Sequence, residues 1–410
     1  MTLREALVRL GFENTVVDFP PETADAEFLE NSDDLSFAEQ DVRDNATYCS
    51  IPADIADKMA VAAAIARNEP AVAVIARLIF RIVFLSSQDS PVRWAWQPLD
   101  QYLKDNAGPM YLLIAAGWAP VMRKMHKEIS IPEEVTRATC YQLRAYCDNH
   151  ITGTGKCGIY PNQLSWMHYY FNPEQPFIRL GRFEFRWLLH YTDCHVYRNK
   201  ATGKLVIFAI PGLQFDVNGF AVENRPDSPE RAFTSFFEKD EEKGIVSGNT
   251  VDEFGCTSKE ATVLNVSEYD LMIGRGMPVL EMHIPNGGGM TSDEAEKSFR
   301  YAKNFFRELY ANRPERIPVA IVCSSWIFNP NLPEILSPES NLVRLLKRVH
   351  PVPRSSSRTD GLWFIFRHEG AFDLLKVPRK TSLQRAVTDF IAKGGRWRVG
   401  GMFLLMDEIH

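Results

Sequence analysis

Apolar and polar residues alternate along residues 278–284, which is the pattern of a β-strand with one apolar face. Glu281 and His283 fall together on the less apolar face, because side chains two positions apart share a face of a strand. Apolar residues then recur every three or four positions through residues 291–310, the spacing of an amphipathic helix. The pattern predicts a strand and a helix that are joined by the glycine-rich turn 286–290.

This turn contains three consecutive glycines, Gly287, Gly288 and Gly289. Glycine lets backbone N–H groups approach an anion closely, and the start of the following helix adds partial positive charge. Thr291 and Glu294 form the capping-box pattern that marks the first turn of that helix. We therefore expect this turn to bind the phosphate groups of a cofactor.

A second apolar run, residues 317–323, predicts another buried strand, which leads into Cys323, Ser324 and Ser325. A strand, a helix and a strand of these lengths normally form a right-handed parallel crossover, which brings the carboxyl ends of the two strands side by side. Ligands of open α/β sheets bind at the carboxyl ends of parallel strands. We therefore expect the turn 286–290 and the serine pair to border one crevice.

The rest of the second half alternates between strand and helix patterns. Helices are predicted at 333–349 and 381–393, and strands at 195–197, 204–210, 361–366 and 399–406. Residues 223–260 are rich in Asp, Glu, Lys, Ser and Pro, which predicts a long loop, either a surface insertion or a lid. These patterns indicate a mixed α/β domain.

The first part of the chain carries helical patterns and almost no strand pattern. Its predicted helices lie at 55–67, 71–85, 98–104 and 132–149. A chain of 410 residues exceeds one ordinary core, and the glycine-rich segment 153–158 interrupts the helical pattern. The predicted fold class is α/β (α+β), with a helical domain over residues 1–155 and a mixed sheet with flanking helices over residues 156–410.

Composition and charge narrow the possible functions. The net charge is −6, and no stretch clusters Lys and Arg as nucleic-acid binding requires. Seven cysteines at irregular spacings indicate free thiols in a reducing compartment. Charged residues and a proline interrupt the apolar stretch 59–85, which argues against a single membrane span, and the amino terminus lacks a signal-peptide core. We expect a cytoplasmic protein without a nucleic-acid partner, and the oligomeric state stays open.

Three familiar sequence motifs are incomplete or absent in this chain. Residues 153–156 read Gly-Thr-Gly-Lys, but the phosphate-loop pattern needs a glycine where His150 stands and a Ser or Thr where Cys157 stands. Cys140, Cys147, His150 and Cys157 contain no C-x-x-C zinc pair. The G-x-S-x-G elbow of serine hydrolases is absent. The sequence therefore predicts neither a metal site nor nucleotide hydrolysis.

Several segments of the last third resemble a known family, the two-part proteins in which a helical N-acyltransferase N-terminal domain precedes a GNAT-like C-terminal domain. The segments that carry the resemblance follow the family's order and are 278–285 with 287–289, 323–326 with 329–330, 340–344, and 381–386 with 394–397. The resemblance implies acyl-CoA-dependent acyl transfer. The implied co-substrate is acyl-CoA or CoA, and the implied partner is a small-molecule amine or amino-acid-like acceptor.

In GNAT folds, the pantetheine arm lies between two parallel strands that splay apart, and a glycine-rich loop holds the pyrophosphate. By this resemblance, the residues expected to contact the cofactor are Asn286, Gly287, Gly288, Gly289, Met290, Thr291 and Arg300. The usual Q/R-x-x-G-x-G/A loop is absent, and Asp293 and Glu294 compete with phosphate for the helix N–H groups. Lys297 and Arg300 offset this negative charge.

Acyl transfer to an amine requires a base for the amine, donors for the oxyanion and a proton for the leaving thiolate. His283 or Glu281 is the candidate base, and Ser324, Ser325 or Cys323 is the candidate proton donor. The same residues also have possible structural roles. These are an ion pair with an arginine for Glu281, a place in the core for His283 and packing for Cys323.

Two other functions stay open. In the first, Cys323 or Ser324 is a covalent nucleophile with His283 as its base, which makes the protein an acyl-enzyme transferase or a hydrolase. In the second, the chain keeps the fold as a non-catalytic, ligand-binding sensor. The polar residues of 190–195 either line the acceptor pocket or form an exposed strand face.

Overall fold

The computed structural model describes residues 1–14, 34–85, 96–192, 194–225, 228–287, 290–367 and 372–410. Its contacts divide the chain into two compact units. The helical unit comprises Met1–Leu180 with Ile284–Gly288, and the sheet unit comprises Gly181–His283 with Gly289–His410. The contacts divide the chain after Leu180, whereas the sequence pattern breaks near residue 155. The reason is that Leu164, Met167 and Tyr170 are buried in the helical core.

Helices form the helical unit. In chain order they are Leu3–Arg9, Glu39–Tyr48, Ala53–Asn68, Pro70–Phe84, Trp96–Leu103, Ala107–Ala116, Trp118–Glu128, Glu133–Cys140, Gln142–Thr154 and Pro161–Trp166. The predicted helix 132–149 is two helices, divided at Tyr141. The sequence patterns missed the helix Ala107–Ala116 because nearly all of its side chains are buried, so it has no polar face to reveal the helical period.

The consecutive helices Ala53–Asn68 and Pro70–Phe84 are rich in apolar residues. Among the described residues, no single helix is both long and apolar enough to cross a membrane. The two helices meet the length and composition criteria only when taken together, and they are bent by 116° where they meet. Their facing side chains belong to the core of the helical unit.

The strands, numbered in chain order, lie mostly in the sheet unit. They are Phe177–Leu180 (β1), Phe183–Leu189 (β2), His195–Asn199 (β3), Leu205–Phe208 (β4), Gln214–Phe215 (β5), Phe233–Thr234 (β6), Phe237–Asp240 (β7), Ile245–Val251 (β8), Thr257–Asn265 (β9), Tyr269–Ile273 (β10), Pro278–His283 (β11), Ala320–Ser325 (β12), His350–Pro353 (β13) and Gly400–Leu405 (β14). Helices of this unit are Ser292–Leu309, Leu332–Ile335, Asn341–Arg348, Leu362–Phe366 and Ser382–Ala392.

Two main sheets organise the sheet unit. In the first, the strand order is β2-β11-β12-β14-β13, and in the second it is β10-β3-β4-β8-β7, with β9 paired to β8. β11 and β12 run parallel, while β2, β14 and β13 pair with their neighbours in antiparallel orientation. The first sheet is therefore mixed, and the helix Ser292–Leu309 connects its two parallel strands. This arrangement confirms the predicted fold class, a helical N-terminal region followed by a mixed sheet with flanking helices.

The two faces of the first sheet pack against different elements. On one face, the ring of Phe183 in β2 stacks on Phe299 of the helix Ser292–Leu309, with centroids 5.5 Å apart. On the other face, Val279 and Val322 share an apolar cluster with residues of the second sheet, including Val196. The first sheet is therefore covered by a helix on one face and by the second sheet on the other.

Two predicted elements of the sheet unit differ from the structure. The predicted strand 361–366 is the helix Leu362–Phe366, whose buried residues Leu362, Ile365 and Phe366 follow helical spacing. The predicted helix 333–349 is two helices, Leu332–Ile335 and Asn341–Arg348. Aromatic and β-branched residues at 362–366 favour a strand by local propensity, but tertiary packing decides for a helix.

The predicted long loop 223–260 was also wrong, because it contains β6, β7, β8 and the first part of β9. β8 and β9 form an antiparallel pair. The middle of β9 is polar and exposed, so its strand character is carried by backbone pairing with β8 and little by apolar alternation. The loop-like composition of residues 223–260 therefore gave no indication of the strands that the segment contains.

Candidate active site

The two parallel strands of the first sheet part at their carboxyl ends. They pair through Val279 with Ala320, Leu280 with Ile321, and Glu281 with Val322. Beyond this point β11 still pairs with β2 up to His283, and β12 still pairs with β14 up to Ser325. Within the part of the chain that the structure describes, no further pair joins β11 to β12. Pairing between the two strands thus ends at Glu281 and Val322, and the unpaired ends of β11 and β12 beyond this point are called the wedge below.

Glu281 and His283 lie on one face of β11 at the mouth of this wedge, next to Arg186 and Glu184 of β2. Arg186 donates from Nη2 to Glu281 Oε2 over 2.5 Å, and Nε2 of His283 lies 3.4 Å from the same oxygen. A single carboxylate oxygen therefore holds both a guanidinium and an imidazole. The sequence placed Glu281 and His283 on one face but gave no sign of Arg186, which needs the β2 pairing.

The environment of Glu281 favours its charged form. Its side chain is 19% exposed and that of Arg186 is 15% exposed. Burial raises the pKa of Glu281, but the hydrogen bond and charge of His283 and those of Arg186 outweigh burial, so that its pKa lies below the ordinary 4.5. An ionised, ion-paired carboxylate is a weak base. It is well suited to orient His283 and to stabilise a protonated imidazole.

Ser324 and Cys323, at the end of β12, point to opposite faces of the sheet, because they are consecutive in a strand. Ser324 is exposed and shares the face of Val322 and Glu281. Cys323 is buried, and its pKa is raised by burial and by the charge of Glu281, with a smaller opposing effect from Arg354. The thiolate form that a cysteine nucleophile needs is therefore disfavoured at Cys323.

Ser325 follows at the very end of β12. Its Oγ accepts a hydrogen bond from the N–H of Ile327 over 3.3 Å and so caps the short helix Trp326–Phe328. Its hydroxyl hydrogen remains able to donate. As consecutive strand residues, Ser324 and Ser325 point to opposite faces of the sheet, and Ser324 is the more accessible of the two.

The glycine-rich turn is exposed where the structure describes it. Gly287 has φ +88°, and a Cβ built there would meet no atom within 4 Å. Asn286 donates from its side chain to the side-chain oxygen of Asn149, a buried residue of the same helical unit. Gly288 and Gly289 lie outside the described residues. The described part of the turn is therefore open to solvent and fixed at Asn286.

The helix after the turn begins with the predicted capping box. Thr291 Oγ1 accepts from the N–H of Glu294, and the Glu294 carboxylate accepts from the N–H of Thr291, each over 3.3 Å. This box occupies two donors that a phosphate would otherwise use, which leaves the first-turn N–H groups of Ser292 and Asp293 outside it. Met290 is half-buried, and Arg300 is exposed farther along the helix.

The polar set at 190–195 does not form one cluster of free side chains. His190 is buried, and its Nε2 lies 2.8 Å from Thr192 Oγ1. His195 stacks on Phe237 of the second sheet with centroids 4.0 Å apart, while Tyr191 is largely exposed. Asp193 lies outside the described residues. Among the residues that are described, no group of three or more His, Cys, Asp or Glu side chains could hold a metal ion.

Sequence reasoning missed Arg354, which directly follows β13. A Cβ built on Gly401 of β14 would lie 2.8 Å from Arg354 Nε, so the arginine side chain crosses the strand at this glycine. Two prolines in the short strand β13 hide its pairing with β14 in the sequence. Without that pairing, nothing in the sequence brings Arg354 next to the end of β12.

Comparisons with known proteins agree with this architecture. Residues 177–404 match the family described as GNAT-like C-terminal domain, and residues 40–172 match the N-acyltransferase N-terminal domain. Among curated proteins, no relative matches the chain.

Solved structures with a similar fold include two acyltransferase complexes. One is an acyltransferase in complex with decanoyl-CoA and teicoplanin, with a TM-score of 0.61 at 19% identity over 99% of this chain and 100% of that chain. The other is a mutant acyltransferase in complex with octanoyl-CoA, with a TM-score of 0.60 at 18% identity over 99% of both chains. At this level of identity the likeness is one of fold. The family match covers more than half of the chain, and this protein therefore belongs to the family with a GNAT-like C-terminal domain, preceded by an N-acyltransferase N-terminal domain.

Proposed function

We propose that this protein is an acyl-CoA-dependent acyltransferase that moves an acyl group directly to the amine of a small acceptor. The observation that carries this proposal is the wedge between β11 and β12, with Glu281 and His283 at its mouth. The solved structures of similar fold are described as acyltransferases bound to decanoyl-CoA or octanoyl-CoA, which supports an acyl thioester as the donor.

The donor arm would lie in the wedge. Past Glu281, the edge of β11 that faces β12 has no strand partner among the described residues, so its N–H and C=O groups are available to the amides of a pantetheine arm. The diphosphate would bind at the turn and the helix start, through Asn286, Gly287, Gly288, Gly289, Met290 and Thr291. Arg300 would add positive charge along the same helix.

In the proposed reaction, the neutral amine of the acceptor attacks the thioester carbonyl carbon and gives its proton to His283. Glu281 holds the imidazole and stabilises its protonated form. Backbone N–H groups at the wedge stabilise the oxyanion. The carbon–sulfur bond then breaks, the amide is released, and the CoA thiolate takes a proton through the hydroxyl of Ser324 or Ser325, which regains its proton from solvent while protonated His283 gives its proton to solvent.

A covalent route through Cys323 is less well supported. Its thiol is buried on the face away from Glu281 and His283, and its pKa is raised. A route through Ser324 keeps His283 as its base, because both lie on the same face of the sheet. A non-catalytic sensor would use the same wedge for binding and would not need His283.

Thermal unfolding with CoA and with acyl-CoAs of increasing chain length tests the donor. A ligand at a hundred times its dissociation constant adds about 2.7 kcal/mol to the free energy of unfolding. We expect His283→Ala to keep this stabilisation and to lose transfer by a factor of about 10² or more. Cys323→Ala serves as the matched control and should keep substantial activity.

Four results would count against the proposal. If neither CoA nor any acyl-CoA stabilises the protein, an acyl thioester is not its donor. Unchanged turnover in both His283→Ala and Glu281→Gln favours a role without general base catalysis, and binding without any turnover favours the sensor. Covalent labelling of Cys323 or Ser324 by a radioactive acyl donor, lost on mutation of that residue, would instead establish the acyl-enzyme route.

A further inference from the structure

Arg354 lies on the same face of the first sheet as Glu281 and His283. Gly401, across which Arg354 lies, pairs with Ser324, and Ser324 shares its face with Val322 and Glu281. The helix Ser292–Leu309 packs on the opposite face. The guanidinium is therefore on the side of the sheet away from the helix whose amino-terminal end is the proposed diphosphate site.

The space for Arg354 depends on glycine. A Cβ at Gly401 would lie 2.8 Å from Arg354 Nε and 3.1 Å from the carbonyl oxygen of Val352. Any other residue at position 401 would displace the arginine side chain or the strand. Glycine in a central strand normally weakens the sheet. At position 401 it leaves the space that the Arg354 side chain occupies.

Among the described residues, Arg354 forms no ion pair and no side-chain hydrogen bond, and its Nε is buried without an acceptor. The neighbouring Arg396 and Arg398 also have a buried Nε without an acceptor, but their terminal nitrogens are paired. Arg398 donates to Asp216 over 2.8 Å and to Asn331 over 3.0 Å, and Arg396 pairs with Glu230. Buried donors are normally satisfied, because an unmade hydrogen bond is costly. The Arg354 guanidinium is therefore a cation without an anionic partner among the described residues, as in a site that binds an anionic ligand.

The charge of Arg354 reaches the reacting end of β12. Burial raises the pKa of Cys323, Glu281 raises it further, and Arg354 lowers it. Burial likewise raises the pKa of Cys194, before β3, to about 11, and Arg354 acts against this shift as well. The guanidinium thus acts on the same residue as the Glu281 carboxylate.

A small cavity adjoins Arg354. Its volume is about 20 Å³, and its lining includes Arg354, Arg398, Gly400, Gly401 and Pro351. A space of this size holds a group of about the size of one water molecule. It suits one oxygen of a carboxylate and is too small for a diphosphate.

We infer that Arg354 binds the carboxylate of the acyl acceptor, so that the acceptor is an amino acid or a related molecule that carries both an amine and a carboxylate. This inference rests on the proposed function. A thioester that enters the wedge from the helix side presents its carbonyl toward the face that holds His283 and Arg354. An acceptor held at Arg354 by its carboxylate would direct its amine toward His283. Arginine suits this role, because its guanidinium is always charged and forms charge-assisted hydrogen bonds with carboxylate oxygens.

Calorimetric binding of free amino acids and of their amides, without CoA, tests the inference. We expect the wild-type protein to prefer at least one amino acid over its amide by about tenfold or more, the effect of one charge-assisted pair. Arg354→Gln should remove this preference, and Arg354→Lys should restore part of it. The control is Arg225→Gln, which removes an exposed arginine paired with Glu223 and should leave the preference unchanged.

Thermal stabilisation by CoA separates this inference from the proposed function. Arg354→Gln should keep the stabilisation by CoA seen with the wild type, which also shows that the variant folds. If the wild type binds amino acids and amides equally, or binds neither, the assignment of Arg354 is wrong even when CoA binds. If CoA gives no stabilisation and no transfer occurs, the proposed function fails, while a preference for amino acids that depends on Arg354 would still stand.

Discussion

Glu281 contacts two side chains through one oxygen, Arg186 and His283. The sequence presented Glu281 and His283 as alternative bases and also allowed an ion pair of Glu281 with an arginine. The structure contains that ion pair, and the same carboxylate holds His283. The two residues are therefore better described as one unit, in which Glu281 sets the position and charge of the imidazole.

The ion pair of Glu281 predicts a pH-dependent loss of stability. Because its folded-state pKa lies below the ordinary 4.5, the ionised carboxylate stabilises the fold above that pH, and this contribution disappears as the pH falls through the folded-state value. We predict that Glu281→Gln lowers the free energy of unfolding by about 1.5–3 kcal/mol at pH 7. The difference from wild type should shrink below pH 4.5 in urea denaturation.

Glu260 provides the control for this measurement, because its side chain is exposed in β9. Glu260→Gln should change the free energy of unfolding by less than about 0.5 kcal/mol at either pH. A difference between wild type and Glu281→Gln that stays constant from pH 7 down to pH 3 would contradict the role of the ionised carboxylate.

At the scale of elements, β14 shows why two glycines stand in a central strand. A Cβ on Gly400 would lie 2.0 Å from the carbonyl oxygen of Phe328, and Gly401 makes room for Arg354. β14 lies between β12 and β13, so this close approach fixes the backbone beside the end of β12. β14 thus contacts the backbone that follows β12 through Gly400, and it leaves room for Arg354 at Gly401.

Gly400→Ala should therefore destabilise the protein. The contact is with backbone, which cannot swing away, so we predict a loss of roughly 1–3 kcal/mol, the usual cost of overpacking. Gly274→Ala is the control, because its Cβ would meet only the end of the flexible Leu271 side chain, at 3.1 Å. Urea denaturation that gives equal stabilities for the two variants would contradict the close approach at Phe328.

At the scale of the whole molecule, all seven cysteines are free. Cys157 and Cys256 are half-buried, and the others are buried. This agrees with the free thiols that their irregular spacing predicts. The folds of both units are thus held by packing and hydrogen bonds without covalent cross-links.

Thiol titration tests this description. In the native protein, Ellman's reagent should react first with the half-buried Cys157 and Cys256, and slowly with Cys256, because burial raises the pKa of that thiol to about 11. All seven thiols should react after unfolding, and reducing agent should not change the free energy of unfolding. Cys256→Ser should remove one of the early-reacting thiols. Rapid labelling of Cys323 in the folded state would contradict its burial.

The reliable predictions from the sequence were those that depend on neighbours a few residues away. The alternation of β11, the capping box at Thr291 and the helices Ser292–Leu309 and Ser382–Ala392 all appear in the structure. β8 and β9 were missed because their strand character comes from pairing with each other. The helix Leu362–Phe366 was mistaken for a strand because aromatic residues favour strands locally.

By itself, the sequence determined the two-part architecture, the parallel crossover and the face that Glu281 and His283 share. Only the tertiary structure decided that Arg186, 95 residues away, holds Glu281, that β11 and β12 part beyond it, and that Arg354 lies across Gly401. The physical reason is how far apart in the sequence the interacting residues lie. Periodicity and capping are set by side chains within a turn or two, whereas charge partners and open space depend on which distant strands the sheet brings together.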